Sequence, residues 1–291
     1  MELKISETPH PNKHAGASFE NLIAIEQQKD DLLNTLHLLF DKDNIEKWHK
    51  KHHHLKLSFL SKVTDGLPLV ILAGDVGCGK TALANAIATP LGKKLDKRIL
   101  CFETPSNIRG AGRVGEISNR ITEAFSHVKA RLGKSDFGIL IIDEADDLAT
   151  SREQNQAHHE DRAGLNVLIK QIDLVAREEV NLAVILITNR VNVLDPAVIR
   201  RATQTITFER PDKHGRKKVF KHLFEGVDLK EKEIVELVDA TEREDVLYSF
   251  SDLIQKVGKQ AVVKAIQRDV PFSKEIYLEV LDTVTPSPTI S

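Results

Sequence analysis

Cysteine is nearly missing from this 291-residue sequence, which holds only Cys78 and Cys101. Two residues so far apart supply neither a disulfide framework nor the CxxC spacing of a zinc site, and such sparing use suits a reducing, cytoplasmic setting. An excess of charge of one sign is missing too. Lys plus Arg is 41 against 43 for Asp plus Glu, a net charge of -2, so no chain-wide field draws the protein to phosphate backbones. Aromatics are 5%, with one Trp and two Tyr, which argues against a base-stacking surface for single strands. The longest apolar runs, Leu67 to Ala73 and Leu182 to Ile187, fall far short of the ~20 residues a membrane helix needs. The first eighteen residues carry Lys4, His10, Pro11 and Lys13 around no apolar centre, unlike a signal or transit peptide. What remains is 41% hydrophobic and 29% charged, a globular balance. At roughly 150 residues per domain the length suits one large domain or two unequal ones.

Five β-rich runs alternate with helical segments before residue 210: Pro68 to Ala73, Arg98 to Glu103, Gly138 to Ile142, Ala183 to Thr188 and Gln204 to Glu209. That alternation predicts a three-layer αβα domain around a five-stranded parallel sheet. Leu165, Leu168, Ile169 and Ile172 repeat at helical spacing, so one face of their helix packs on the sheet. Beyond Arg210-Pro211-Asp212 the runs around Val219, Leu237 and Leu253 predict a small all-helical domain. The expected boundaries are a flexible segment 1–18, a large domain 19–210, a helical lid 211–284 and a frayed tail 285–291.

Gly74-Asp75-Val76-Gly77-Cys78-Gly79-Lys80-Thr81 fits GxxxxGK[ST] and stands between an apolar strand and a helix that continues through Ala82. Glycines let successive backbone N–H groups turn inward around phosphates, and the helix N-terminus adds its positive end. Lys80 neutralises phosphate oxygens and the Thr81 hydroxyl holds Mg2+, which makes ATP with Mg2+ the expected ligand. Asp75, Val76 and Cys78 line the loop without assigned chemistry. A helix N-terminus can lower a thiol pKa, which would make Cys78 a redox control point, but a small loop residue is the simpler reading.

A second apolar strand ends in Asp143-Glu144, where open sheets of this kind bind ligands. Asp143 reaches the metal, directly or through water, and Glu144 orients or deprotonates the attacking water. Asp146 and Asp147 read as solvating the next turn. A third strand ends at Thr188-Asn189-Arg190, and Asn189 is placed to sense the γ-phosphate or water. Pro196 opens a short helix that ends in Arg200-Arg201. Either arginine could cap the helix or reach a neighbouring subunit as an arginine finger. His52-His53-His54 lies among lysines and reads as a solvated connection. Trp48 reads as a partly buried helix residue.

This order of motifs, from the phosphate loop through the Asp-Glu strand, Asn strand and paired arginines to a helical lid, resembles the AAA+ ATPases from about Phe19 to Leu281. Leu194 to Arg200, followed by Arg210-Pro211-Asp212 and Gly215-Arg216, is similar to a signature of the AAA subgroup. Phe19 to Ile23 resembles its adenine-contacting entry, and Ser249 to Leu253 its lid segment. The latter places Asp252 where other branches carry a sensor arginine. Asp143 to Leu148, Ser151-Arg152, His158 to Gly164 and Arg201-Ala202 look most like bacterial relatives of the pachytene-checkpoint ATPases. The resemblance implies a hexameric ring that pulls on a protein client, a HORMA-domain protein of antiphage signalling. It also implies a gripping loop ahead of a helix, at Arg113-Val114-Gly115 or, in another register, Ile108-Arg109-Gly110. A nucleic-acid-associated loader or helicase accessory is the alternative, disfavoured by charge balance and scarce aromatics. A non-hydrolysing, nucleotide-gated scaffold is a third reading.

Overall fold

The computed structural model describes residues 3–55, 57–60, 66–105, 108, 115–133, 135–147, 159–242 and 246–289, without the side chains of 147 and 159–162. They divide into two compact units: residues 1–20, 27–73 and 81–207, and residues 21–26, 74–80 and 208–291. No described helix is long and apolar enough to cross a membrane.

In the first unit the five expected runs form β2 (Leu69–Gly74), β3 (Ile99–Glu103), β4 (Phe137–Ile142), β5 (Leu182–Thr188) and β6 (Gln204–Phe208). The sheet order is β1-β3-β4-β5-β2-β6, with β3, β4, β5 and β2 paired in parallel. All of β5 and nearly all of β2 and β4 are buried, as strands covered on both faces must be. The sheet differs from expectation at one edge, where β1 (Ser6–His10) pairs antiparallel with β3, Ser6 opposite Glu103 and His10 opposite Ile99. The described part of the N-terminal segment, expected to be flexible, instead carries secondary structure: β1 is followed by α1 (Lys13–Glu20). The His10 ring meets the Thr89 hydroxyl at 2.8 Å, and the Asn12 amide donates to the same oxygen. SETPH has no apolar alternation to announce a strand; an edge strand pairs through its backbone and needs little from its side chains.

Around the sheet lie α2 (Glu26–Phe40), α3 (Lys42–His52), α4 (Lys80–Ala86), α5 (Ala88–Leu95), α6 (Glu116–Arg131), α7 (His159–Arg177) and α8 (Pro196–Ile199). Ile121, Phe125 and Val128 of α6 join Leu165, Leu168 and Ile172 of α7 over Leu140, Val184 and Leu186 of the sheet. Trp48 on α3 is 49% exposed rather than partly buried.

The second unit contains α9 (Lys213–Leu223), α10 (Glu231–Ala240), α11 (Lys259–Arg268) and α12 (Lys274–Leu281) around Phe220, Leu237, Leu253, Val257 and Tyr277. The Tyr277 hydroxyl donates to the Leu253 carbonyl at 2.9 Å, and its ring stands edge-on to Phe220. The amphipathic run around Leu253 is wound as a π-helix over Asp252–Gly258 before α11. The tail, expected to be frayed, is tied down at Ser287 and Pro288. Ser287 donates its amide to Asp252 at 3.1 Å and its hydroxyl to the same carboxylate at 2.6 Å. Pro286 and Pro288 have no N–H, but carbonyls of such a segment still accept hydrogen bonds.

Candidate nucleotide site

The chain leaves β2 through a turn that side chains would block. Gly74 has φ +135, and a Cβ there would overlap the Phe208 carbonyl; Gly77 has φ +75, and a Cβ would come within 2.7 Å of the Ser249 hydroxyl. Asp75 donates its amide to the Phe208 carbonyl, and the Gly77 carbonyl accepts from the Ser251 amide at 3.0 Å. Lys80, the first residue of α4, is 5% exposed and donates to the Gly74 and Asp75 carbonyls, each at 2.7 Å. Its ammonium thus lies folded across its own loop, within reach of whatever the loop encloses.

Cys78 is 1% exposed, and burial with the Asp75 carboxylate pushes its thiol up to about 11 against the opposing pull of Lys80 and Arg210. Desolvation outweighs the helix end, so this thiol is protonated at neutral pH and unsuited to redox control. Val76 is 39% exposed at the loop surface, and Ala82 is exposed on α4.

Ala73 pairs with Thr188 and Ile142 with Leu186, so β2, β4 and β5 end side by side. The Thr81 hydroxyl donates to Asp143 at 2.8 Å, and the other carboxylate oxygen of Asp143 accepts the Glu144 amide. A hydroxyl and a carboxylate held together are a hard oxygen donor pair, the chemistry Mg2+ requires. Glu144 is exposed and sits at φ +54, a left-handed conformation that costs a non-glycine residue about 1 kcal/mol or more.

Asp146 does more than solvate a turn. Its carboxylate accepts from the Thr188 hydroxyl at 3.1 Å and from Arg190 at 3.2 Å, linking the acidic turn to the end of β5. The sequence offered only a polar Thr-Asn-Arg after a strand as a signal for that link. Asn189 follows directly, half-buried, and its side chain makes no hydrogen bond among the described residues.

The two arginines separate. Asp195 caps α8 by accepting the Ala197 amide at 2.8 Å. At the far end Arg201 grips Asp173 with two bonds of 2.9 and 3.1 Å and donates to the Ala197 carbonyl. Arg200 is exposed and has no hydrogen-bond or ion-pair partner among the described residues. Of the candidate gripping loops, Arg113, Val114, Arg109 and Gly110 lie outside the described residues, as does His158. Gly115 is the N-cap of α6 at φ +76, and Ile108 is buried. No group of three or more His, Cys, Asp or Glu side chains among the described residues could hold a metal by itself.

A parallel sheet with a glycine-turned loop after one strand and an acidic pair after another defines a phosphate-loop nucleotide-binding protein. The family model described as "ATPase family associated with various cellular activities (AAA)" matches residues 70–210. CD-NTase-associated protein 6 of Escherichia coli (strain MS 115-1) is 37% identical over 278 residues, 92% of this chain and 89% of that protein. The same-named protein of strain KTE188 is 35% identical over 273 residues, 92% and 91% of the two chains. Among solved structures, a chain of the E. coli MS115-1 HORMA:CdnC:Trip13 complex is 34% identical with a TM-score of 0.91, covering 99% of this chain and 98% of that one. Rhizobiales Trip13 is 30% identical with a TM-score of 0.76, over 97% and 98%. This chain belongs to the AAA ATPase family, among its Trip13-like members.

Proposed function

We propose that this protein is an ATP-hydrolysing remodeller that works as a hexameric ring and partially unfolds or disassembles a HORMA-domain protein in bacterial antiphage signalling. The observation that carries this reading is its likeness, over nearly the full length of both chains, to a protein solved in a HORMA:CdnC:Trip13 complex. The chemistry is supported by the residues themselves. Loop amides and Lys80 hold the phosphates, and Thr81 with Asp143 holds Mg2+, which when bound offsets phosphate charge. Glu144 orients water for in-line attack on the γ-phosphorus and accepts its proton as the bond to the ADP oxygen breaks. Asn189 positions that water, and Arg200, free of the Asp173 clamp that occupies Arg201, extends to the phosphates bound by a neighbouring subunit. Arg113-Val114-Gly115 is the proposed gripping loop, and the compartment is the cytoplasm.

Glu144→Gln protein held with ATP and used as bait tests this. Retention of a HORMA-domain protein is the expected result; recovery of nucleic acid alone overturns the remodelling reading in favour of a loader. Binding of ATP without hydrolysis by the unaltered protein overturns the ATPase.

A further inference from the structure

An aspartate is out of place in a loop that must attract phosphate, yet Asp75 is the second residue of this one. The structure answers its charge. Arg210 is a nearly buried guanidinium, 5% exposed, whose Nε donates to Asp75 at 2.5 Å. Its remaining nitrogens are spent on backbone carbonyls. Nη1 donates to Leu247 and, at 2.7 Å, to Ser287; Nη2 donates to Pro288 at 3.0 Å. Ser287 is itself fixed to the Asp252 carboxylate, which also accepts the Ser249 amide and hydroxyl. One planar fork therefore joins the phosphate loop to the C-terminal segment, a task a point-charge lysine could not perform.

We propose that Arg210 is a positioning residue for the phosphate loop, neutralising and orienting Asp75, and that the C-terminal segment through Pro288 is the strut that holds Arg210 in place. Without the strut the guanidinium loses the Ser287 and Pro288 carbonyls and keeps only that of Leu247, and without the guanidinium the Asp75 carboxylate, whose other oxygen accepts the Val76 amide at 2.8 Å, loses its counter-charge. In its enzymatic consequence the proposal rests on the ATPase reading above; in its effect on the loop it does not.

The test uses the full chain with three changes: Arg210→Ala, Arg210→Ala with Asp75→Ala, and a stop after Thr285. Arg210→Ala should raise the KM for ATP about tenfold or more, the effect of losing a charged hydrogen bond, with kcat changed less than about twofold. Removing the uncompensated negative charge as well should restore affinity, so the double variant should return to within about threefold of the unaltered chain. A double variant no better than Arg210→Ala overturns the neutralising role. Hydrogen exchange of amides 74–81, measured without nucleotide, should speed up in the shortened chain and in Arg210→Ala. Unchanged exchange in the shortened chain, with its thermal unfolding intact, overturns the strut. Failure of the unaltered chain to bind ATP would sink the ATPase reading, while the exchange result would still decide the strut.

Discussion

Asp252 has no solvent exposure, yet it remains charged. Burial would raise its pKa, but bonds from Lys256, Ser287 and Ser249 outweigh burial and hold the carboxyl well below the usual range. A carboxyl depressed by folding stabilises the folded state fully above its unfolded value of about 3.9, and that contribution drains away as pH falls toward the folded value. Thermal unfolding followed from about pH 5 down to pH 2.5 should therefore fall more steeply for the unaltered chain than for Asp252→Asn. The arginines give a second residue-scale prediction. Arg201→Ala should lower the melting temperature, because it strips a two-bond partner from Asp173, whereas Arg200→Ala should leave melting unchanged and reduce ATP turnover on the order of a thousandfold. The meeting of Thr81 with Asp143 was legible in the sequence because a GxxxxGK[ST] loop and an acidic strand end have a shared place in such a sheet. The Asp75–Arg210 and Asp146–Arg190 pairs were not, because nothing local marks partners that meet only after the chain has folded.

Among the elements, the four parallel strands β2, β3, β4 and β5 were legible from apolar runs that suit burial on both faces. The π-wound turn at Asp252–Gly258 was not, since its apolar spacing also fits an α-helix. The phosphate turn is the least forgiving element. Gly74→Ala combines an unfavourable φ with a side chain pressed into the Phe208 backbone, and nucleotide binding should be lost. Gly77→Ala meets only Ser249 and Ser251 side chains and should weaken binding less; titration with a fluorescent ATP analogue ranks the two. β1 gives another prediction at this scale. Cys101 is 6% exposed, and Thr8 pairs with it across the strand boundary. Burial, with Glu103, pushes its thiol up to about 12. A chain beginning at Asn12 should expose that thiol, and labelling of Cys101 by a thiol reagent should accelerate on the order of tenfold relative to the full chain.

At the scale of the whole molecule, the question is whether active sites are shared between copies. If Arg200 completes a neighbour's site, mixing Arg200→Ala with Glu144→Gln protein should restore ATPase activity above that of either alone. Each mixed pair can bring together one intact Glu144 and one intact Arg200, and no recovery at any ratio would count against shared sites. Near-zero net charge gave the sequence no global partner signal, which is why the client had to come from likeness to relatives and not from electrostatics. The edge strand has a last consequence, one of timing. Ser6–His10 is synthesised well before its partner and cannot pair until β3 has emerged, after β2 and the five described helices α1 to α5 have been made. Such non-local antiparallel closure is slow relative to helix formation. These residues, made ahead of their partner, are thus among the later ones to find their place, and until they do the backbone edge of β3 lies open to strangers.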